Sequence, residues 1–166
     1  VKLWEAFADR STDRGVTWER SENFVIDRTI FKGKGAIQPT FWESAPGKVH
    51  ALMRACAGRA WRADSEDYGK TWTPVRDSGL PNNNSGIDAL RLDDGRVLVV
   101  GENANALYDP APESWTSDYN GQRIRGRAAA LMGDGRVMVS GGYDFNANFP
   151  YGSGYLDSTD VFDPLT

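Results

Sequence analysis

Three arginines, Arg123, Arg125 and Arg127, alternate along the run Gln122-Arg123-Ile124-Arg125-Gly126-Arg127. On an extended strand that spacing puts all three guanidinium groups on one face, where they would grip a carboxylate. A solvated loop leading into a strand is the commoner home for such a run, so it stands as a candidate stripe only. His50 is the only histidine. It has no second histidine with which to hold a metal and no evident nucleophile beside it, which points to a structural or merely exposed role. Cys56, the single cysteine, excludes an intrachain disulfide and any cysteine-based metal cluster, and reads as a small buried hydrophobe. Asn83-Asn84-Ser85 fits the pattern for N-glycosylation, but an asparagine run in a loop is better suited to hydrogen bonding or ligand contact. No residue pattern calls for a cofactor or a metal.

Two constellations of another kind recur at a fixed spacing. Ser11-Thr12-Asp13-Arg14-Gly15-Val16-Thr17-Trp18 returns 54 residues later as Ser65-Glu66-Asp67-Tyr68-Gly69-Lys70-Thr71-Trp72. Ser11, Asp13, Ser65 and Asp67 carry side chains that bond local backbone N–H groups, Gly15 and Gly69 allow a sharp reversal, and Trp18 and Trp72 can pack on a sheet, with Thr17 and Thr71 beside them. These carboxylates are committed to a turn, so neither catalysis nor metal binding is expected of them. A second pattern is an apolar run, then Asp-Gly-Arg-Val, then another apolar run: Ala89 to Val100, and again Ala129 to Ser140, with the Asp-Gly pairs 40 residues apart. Asp-Gly between apolar runs signals a tight hairpin, for which a two-residue primed turn is expected. Pro46-Gly47 is expected to turn a third hairpin between Ile37 to Trp42 and Val49 to Met53.

Turns of this kind close strands, and the strands set the fold class. A period of roughly 40 to 50 residues, with short strands and no helical pattern, is the signature of β-propeller blades. Strand-like runs include Leu3 to Ala8, Gly58 to Ala63, Ala106 to Pro110 and Thr159 to Pro164, and roughly thirteen can be counted in all. Asp144 to Gly154, rich in Asn, Gly and Pro, reads as a long loop interrupting the last blade. The expected architecture is all-β, about three to four blades per chain, each a four-stranded antiparallel sheet. That is too few to close a ring, and open blade edges are sticky. A homodimer completing about six or seven blades is therefore expected.

The bulk numbers agree with a packed domain. The chain has 166 residues, 40% of them hydrophobic, among them six Trp, six Tyr and seven Phe. Its formal charge of -4, from 23 acidic and 19 basic residues without a basic block, argues against a nucleic-acid partner. No apolar run approaches the ~18 residues that span a membrane, so no membrane partner is expected. The first residues, Val1-Lys2-Leu3-Trp4-Glu5, lack the apolar stretch of a signal peptide, and with Val1 in first place the compartment is not readable from the chain.

Residues 1 to about 92 resemble the Asp-box, or BNR, sialidase-like family. The resemblance is carried by both Asp boxes, by Ile37-Gln38-Pro39-Thr40-Phe41-Trp42-Glu43-Ser44, and by Leu80-Pro81-Asn82-Asn83-Asn84-Ser85-Gly86-Ile87-Asp88. Residues from about 89 to 166 resemble kelch repeats of the galactose-oxidase type, through Asp-Gly-Arg-Val-Leu-Val-Val-Gly, Gly141-Gly142, Leu107-Tyr108-Asp109-Pro110 and Trp115. The two styles meet between Asp88 and Val97, which suggests recombined blades, natural or engineered. The resemblance implies a secreted or periplasmic protein with its function at the mouth of the central channel. There it places the ligand-binding candidates Gln38, Arg54, Asn82, Asn83, Asn84, Asp88, Glu102, Asn103, Asn105, Tyr143 and Asp144, a polar set suited to sugar hydroxyls.

A sialidase-like enzyme would require three arginines, a tyrosine nucleophile assisted by a glutamate, and an aspartate acid/base. Arg54 alone matches a required position. Galactose-oxidase chemistry requires copper on two tyrosines and two histidines, and a single histidine rules it out. Three readings follow: a non-catalytic or weakly glycan-binding propeller scaffold, which the missing positions favour; a glycosidase or lyase on acidic sugars completed by oligomerisation; and a kelch-type protein-interaction module.

Overall fold

The chain's turn residues divide it into short antiparallel strands. The computed structural model describes residues 2–101, 105–118, 124–125, 128–149, 152–155 and 159–163, and among them it contains β-strands and no α-helix. They fall into two compact units, Val1–Asn84 and Ser85–Thr166.

In the first unit, β1 (Asp9–Arg10) and β2 (Glu19–Arg20) form a two-stranded hairpin around the first Asp box. The run Leu3 to Ala8 is not itself a strand. It follows the hairpin through irregular bonds, Ser21 N–H to Ala8 O at 2.8 Å and Phe24 N–H to Ala6 O at 2.8 Å, and buries only Ala6 and Ala8. A four-stranded antiparallel meander follows, β3 (Ala36–Ala45), β4 (Lys48–Ala55), β5 (Arg59–Ser65) and β6 (Arg76–Pro81), in that spatial order. The β3–β4 reversal falls at Pro46-Gly47, as expected, and the second Asp box links β5 to β6. One face of the sheet buries Ala51, Met53, Ala55, Trp61 and Ala63 against Ala6, Ala8, Phe24 and Phe31. Phe31 meets Trp61 edge-on at 4.4 Å, which joins the loop before the sheet to its centre. Cys56 is only half-buried. Its Sγ accepts the Lys34 N–H at 3.0 Å and so ties the loop before β3 to the β4–β5 turn.

Both Asp boxes close by the same bonds. In the second, Ser65 Oγ accepts Gly69 N–H at 2.9 Å, Asp67 Oδ1 accepts Thr71 N–H at 2.9 Å, Asp67 Oδ2 accepts the Thr71 hydroxyl at 2.7 Å, and Trp72 Nε1 donates to Gly69 O at 3.1 Å. In the first, Gly15 N–H to Ser11 is 2.7 Å, Thr17 N–H to Asp13 is 2.9 Å, and Trp18 Nε1 to Gly15 O is 3.1 Å. Hydrogen bonds from the Thr17 side chain and backbone hold Asp13 at about 2, and those from the Thr71 backbone and side chain hold Asp67 at about 2, against an ordinary 3.8. A carboxyl depressed on folding stabilises the fold fully above its ordinary value and loses that contribution as pH falls through its folded value. The melting midpoint is therefore expected to fall as pH drops from about 4 to about 2, and Asp67→Asn to flatten that fall; thermal melts followed by circular dichroism across this range check it.

In the second unit, β7 (Asp88–Arg91), β8 (Val97–Val100), β9 (Asn105–Asp109) and β10 (Ser114–Asp118) make another four-stranded meander. β12 (Ala128–Leu131), β13 (Val137–Ser140) and β16 (Thr159–Phe162) make a three-stranded sheet. The segment read as a long loop instead contains β14 (Tyr143–Phe149) and β15 (Gly152–Tyr155), a hairpin that pairs with β11 (Ile124–Arg125). Leu92, Leu98, Val100, Val137 and Val139 form a core shared by the β7–β10 sheet and the β12–β13–β16 sheet.

Both Asp-Gly hairpins are present, but their turns are longer than the two-residue form expected. Gly95 N–H bonds Leu92 O at 3.0 Å and Leu92 N–H bonds Arg96 O at 2.8 Å, a three-residue loop whose last residue has φ +89°; Met132, Gly135 and Arg136 repeat it. Glycine is needed at that last position, and the preceding aspartate braces the arginine after it: Asp94 Oδ1 accepts Arg96 N–H at 3.0 Å, and Asp134 Oδ1 accepts Arg136 N–H at 3.1 Å.

Candidate functional site

The end of the first four-stranded sheet where β3 begins and β4 ends gathers a polar cluster. Ile37 pairs with Arg54 and Pro39 with Met53, so Gln38 is skipped by the ladder and sits at φ +54°. This bulge turns its amide toward the next strand, and Arg54 Nε donates to Gln38 Oε1 at 2.5 Å. The chain after β6 returns to the same end. Asn82 N–H bonds Gly58 O at 3.1 Å, Asn82 Oδ1 accepts Asn84 N–H at 2.8 Å, and Asn84 is held at φ +69°. Arg54 Nη1 then donates to Asn84 O at 2.7 Å and to Asn84 Oδ1 at 2.9 Å. The asparagine run thus does loop work and fixes an arginine at the same time.

Beneath Arg54 lies Trp4, whose ring centre is 5.4 Å from the guanidinium carbon and 5.6 Å from Lys34 Nζ. Trp4 is positioned by its N–H bond to Lys34 O at 2.9 Å, and Arg28 Nη1 braces the same turn through Gly33 O at 3.2 Å and Lys34 O at 3.1 Å. Among the described residues, every partner of Arg54 is a neutral oxygen or an aromatic face. The guanidinium is held in place on two sides, carries a charge that no described carboxylate balances, and keeps Nη2 unengaged among the described residues. Such a group is built to receive an anion, and a planar carboxylate suits its fork. Among the described residues no group of three or more His, Cys, Asp or Glu side chains is placed to hold a metal.

Of the residues singled out from sequence, Gln38, Arg54, Asn82 and Asn84 come together, and Asn83 lies exposed in the same loop. Asp88 belongs to the second unit, where Oδ1 accepts Ala89 N–H at 3.0 Å and Oδ2 accepts Ala129 N–H at 3.1 Å, so its carboxylate links β7 to β12. Asn105 opens β9 opposite Val100. Tyr143 and Asp144 pair along β14 with Arg125 and Ile124. Glu102, Asn103, Arg123 and Arg127 lie outside the described residues. Sequence reasoning missed Trp4, Lys34 and Arg28, which reach the site from irregular segments that carry no periodic signal.

It also missed the surroundings of His50, at the other end of this sheet. His50 is not without a nucleophile: Ser44 Oγ is 2.7 Å from Nε2, and Asp64 Oδ1 is 2.6 Å from Nδ1.

The family described as BNR repeat-like domain matches residues 1–129, passing through Asp88 to Val97, where blades of two styles were expected to meet. Among solved structures, the NanB sialidase of Streptococcus pneumoniae superposes with a TM-score of 0.72 at 15% identity, over 99% of this chain and 28% of that one. A protein of unknown function from Dyadobacter fermentans gives 0.64 at 24% identity, over 90% of this chain and 43% of that one. The leech intramolecular trans-sialidase gives 0.61 at 14% identity, over 93% and 27%. At these identities the likeness is one of fold, a part of a sialidase-type β-propeller, and the chain spans less than half the length of each of these structures. No curated protein matches the sequence.

Proposed function

Because the chain belongs to the BNR repeat-like domain family, we propose that it is a sialidase-like propeller scaffold that binds the carboxylate of an acidic glycan at Arg54 and does no chemistry there. The observation that carries this reading is the pre-oriented, unbalanced guanidinium on Trp4, with Lys34 adding a second positive charge on the same ring. Gln38 and Asn84 supply amides for neighbouring hydroxyls. Of the groups that sialidase chemistry demands, Arg54 is the one recognised at this end of the sheet.

A single guanidinium with a few hydrogen bonds supports a dissociation constant on the order of 1 mM. Calorimetric or NMR titration with N-acetylneuraminic acid or glucuronic acid is expected to show such binding. Arg54→Ala should weaken it about tenfold to a hundredfold, the ~1.5–3 kcal/mol of a charge-assisted hydrogen bond. Equal affinity of parent and variant, or equal affinity for a neutral sugar, would sink the reading. Release of product from a fluorogenic sialoside, lost in Arg54→Ala, would replace it by the enzymatic alternative.

We also propose that two copies complete the ring, since outer strands left unpaired in solution invite pairing. Light scattering should then give about 37 kDa, twice the 18.3 kDa of one chain. A mass of one chain would refute it.

A further inference from the structure

We propose that Ser44, His50 and Asp64 form a second, reactive site in which Ser44 is a nucleophile toward carboxylic esters with good leaving groups. It lies at the opposite end of the β3–β6 sheet from Arg54 and does not depend on the glycan reading.

The geometry follows from strand period and register. Trp42, His50 and Asp64 are cross-strand partners on β3, β4 and β5, so their side chains form one row on one face. Ser44, two residues beyond Trp42, shares that face. The ladder skips Ser44 between Glu43 and Ala45, and this irregularity leaves it exposed with its hydroxyl over the imidazole. Trp42 is buried and stacks on His50 at 5.0 Å with 28° between the rings, which fixes the imidazole plane.

The short contact to Asp64 selects the tautomer. At 2.6 Å, Nδ1 and a carboxylate oxygen require a proton between them, so Nδ1–H donates to Asp64, the tautomer in which Nε2 is the accepting nitrogen. The Arg62 Nη2 group, 2.9 Å from Nδ1, therefore adds charge beside the ring without a bond to that nitrogen. Nε2 in turn accepts the Ser44 hydroxyl at 2.7 Å. Burial pushes the Asp64 carboxyl up, but hydrogen bonds from His50 and Arg62, the Arg62 charge and a bond from Arg76 outweigh it and keep the group ionised far below neutrality. Arg62 Nε reaches Oδ1 at 2.7 Å and Arg76 Nη2 reaches Oδ2 at 2.8 Å. A nucleophile, a base in the right tautomer and an ionised orienting carboxylate are thus in line.

In the first step Ser44 Oγ bonds to the ester carbonyl carbon while its proton passes to His50 Nε2. His50 gives that proton to the departing aryloxide as the C–O bond breaks, releasing the phenol and leaving the acyl group on Ser44. Water then attacks the acyl carbon, its proton moving through Nε2 to Oγ, and the carboxylic acid leaves. Asp64 stabilises the imidazolium formed at each stage. The nearby turn N–H of Gly47 is taken by Glu43 Oε1 at 2.9 Å and gives the developing oxyanion no help. This restricts the site to electrophiles that carry their own activation, such as aryl esters, and excludes amides.

The test is reaction of the full chain with a fluorophosphonate and with p-nitrophenyl acetate, with peptide mass mapping. One phosphonyl group per chain on Ser44 is expected, none on the Ser44→Ala variant, and a labelling rate at least ~100-fold lower for His50→Ala, the general-base contribution. A burst of p-nitrophenol with an acetyl group on Ser44 is expected of the unmodified chain. Should His50→Ala fail to fold by circular dichroism, this acetylation decides alone. Absence of any adduct on Ser44, or a Ser44 labelling rate indifferent to His50, overturns the proposal.

Discussion

Gly35→Ala is expected to lower the stability of the Val1–Asn84 unit by ~3 kcal/mol or more and to remove carboxylate binding at Arg54 with it. Gly35 has φ +142°, a region almost closed to side chains, and a Cβ there would overlap the Trp4 carbonyl oxygen and come within 3.1 Å of Trp4 Cβ. Trp4 cannot simply retreat, because its own N–H is bonded to Lys34 O next door. Whatever shift relieves the overlap must move the indole that lies under both Arg54 and Lys34. Gly58→Ala is the control: it has φ +77° but open space around it, so only the left-handed backbone cost of ~1–2 kcal/mol applies. Denaturant unfolding together with a sugar-acid titration distinguishes the two. A Gly35→Ala variant that binds like the parent would show that Trp4 is not the support of the site.

Trp61 carries the second large effect, and it divides between two substitutions. It is 7% exposed and packs edge-on against Phe31, yet its Nε1 is buried without a hydrogen-bond partner among the described residues. Trp61→Ala empties that volume and is expected to cost ~3–5 kcal/mol. Trp61→Phe keeps an aromatic ring on Phe31 while removing a donor whose burial alone costs ~1–3 kcal/mol, so it should fall within ~1 kcal/mol of the parent. Paired unfolding curves measure both. A loss for Trp61→Phe as large as that for Trp61→Ala would mean that the indole N–H is not an orphan.

What could be read from sequence follows the range over which each feature is determined. An Asp box is made by bonds between residues two to four apart, so Ser65, Asp67, Gly69 and Thr71 announce it unaided. Arg54 and Gln38 were legible as candidates through resemblance, but Trp4 and Lys34 arrive from irregular chain whose course is set by Gly35 and Cys56. The triad was illegible because one irregular step at Ser44 and the register of β4 on β5 decide whether Ser44, His50 and Asp64 meet. Asp144 to Gly154 reads as loop from its Asn, Gly and Pro, yet pairing of Tyr143–Phe149 with distant β11 and with β15 makes strands there. Non-local pairing there outweighs residue preference.

That inserted hairpin fixes the order in which the last sheet can assemble. β12 and β13 are joined by a turn of a few residues, but β13 must find β16 across the chain between Ser140 and Thr159. Loop-closure entropy grows with the logarithm of the enclosed length, so this pairing is the costlier to make and the first to be given up. Its cross-strand pair Met138 and Val161 is exposed and offers little burial in return. Within this sheet, therefore, assembly runs from the β12–β13 hairpin outward, and the Thr159–Phe162 strand is the first of the three to come undone.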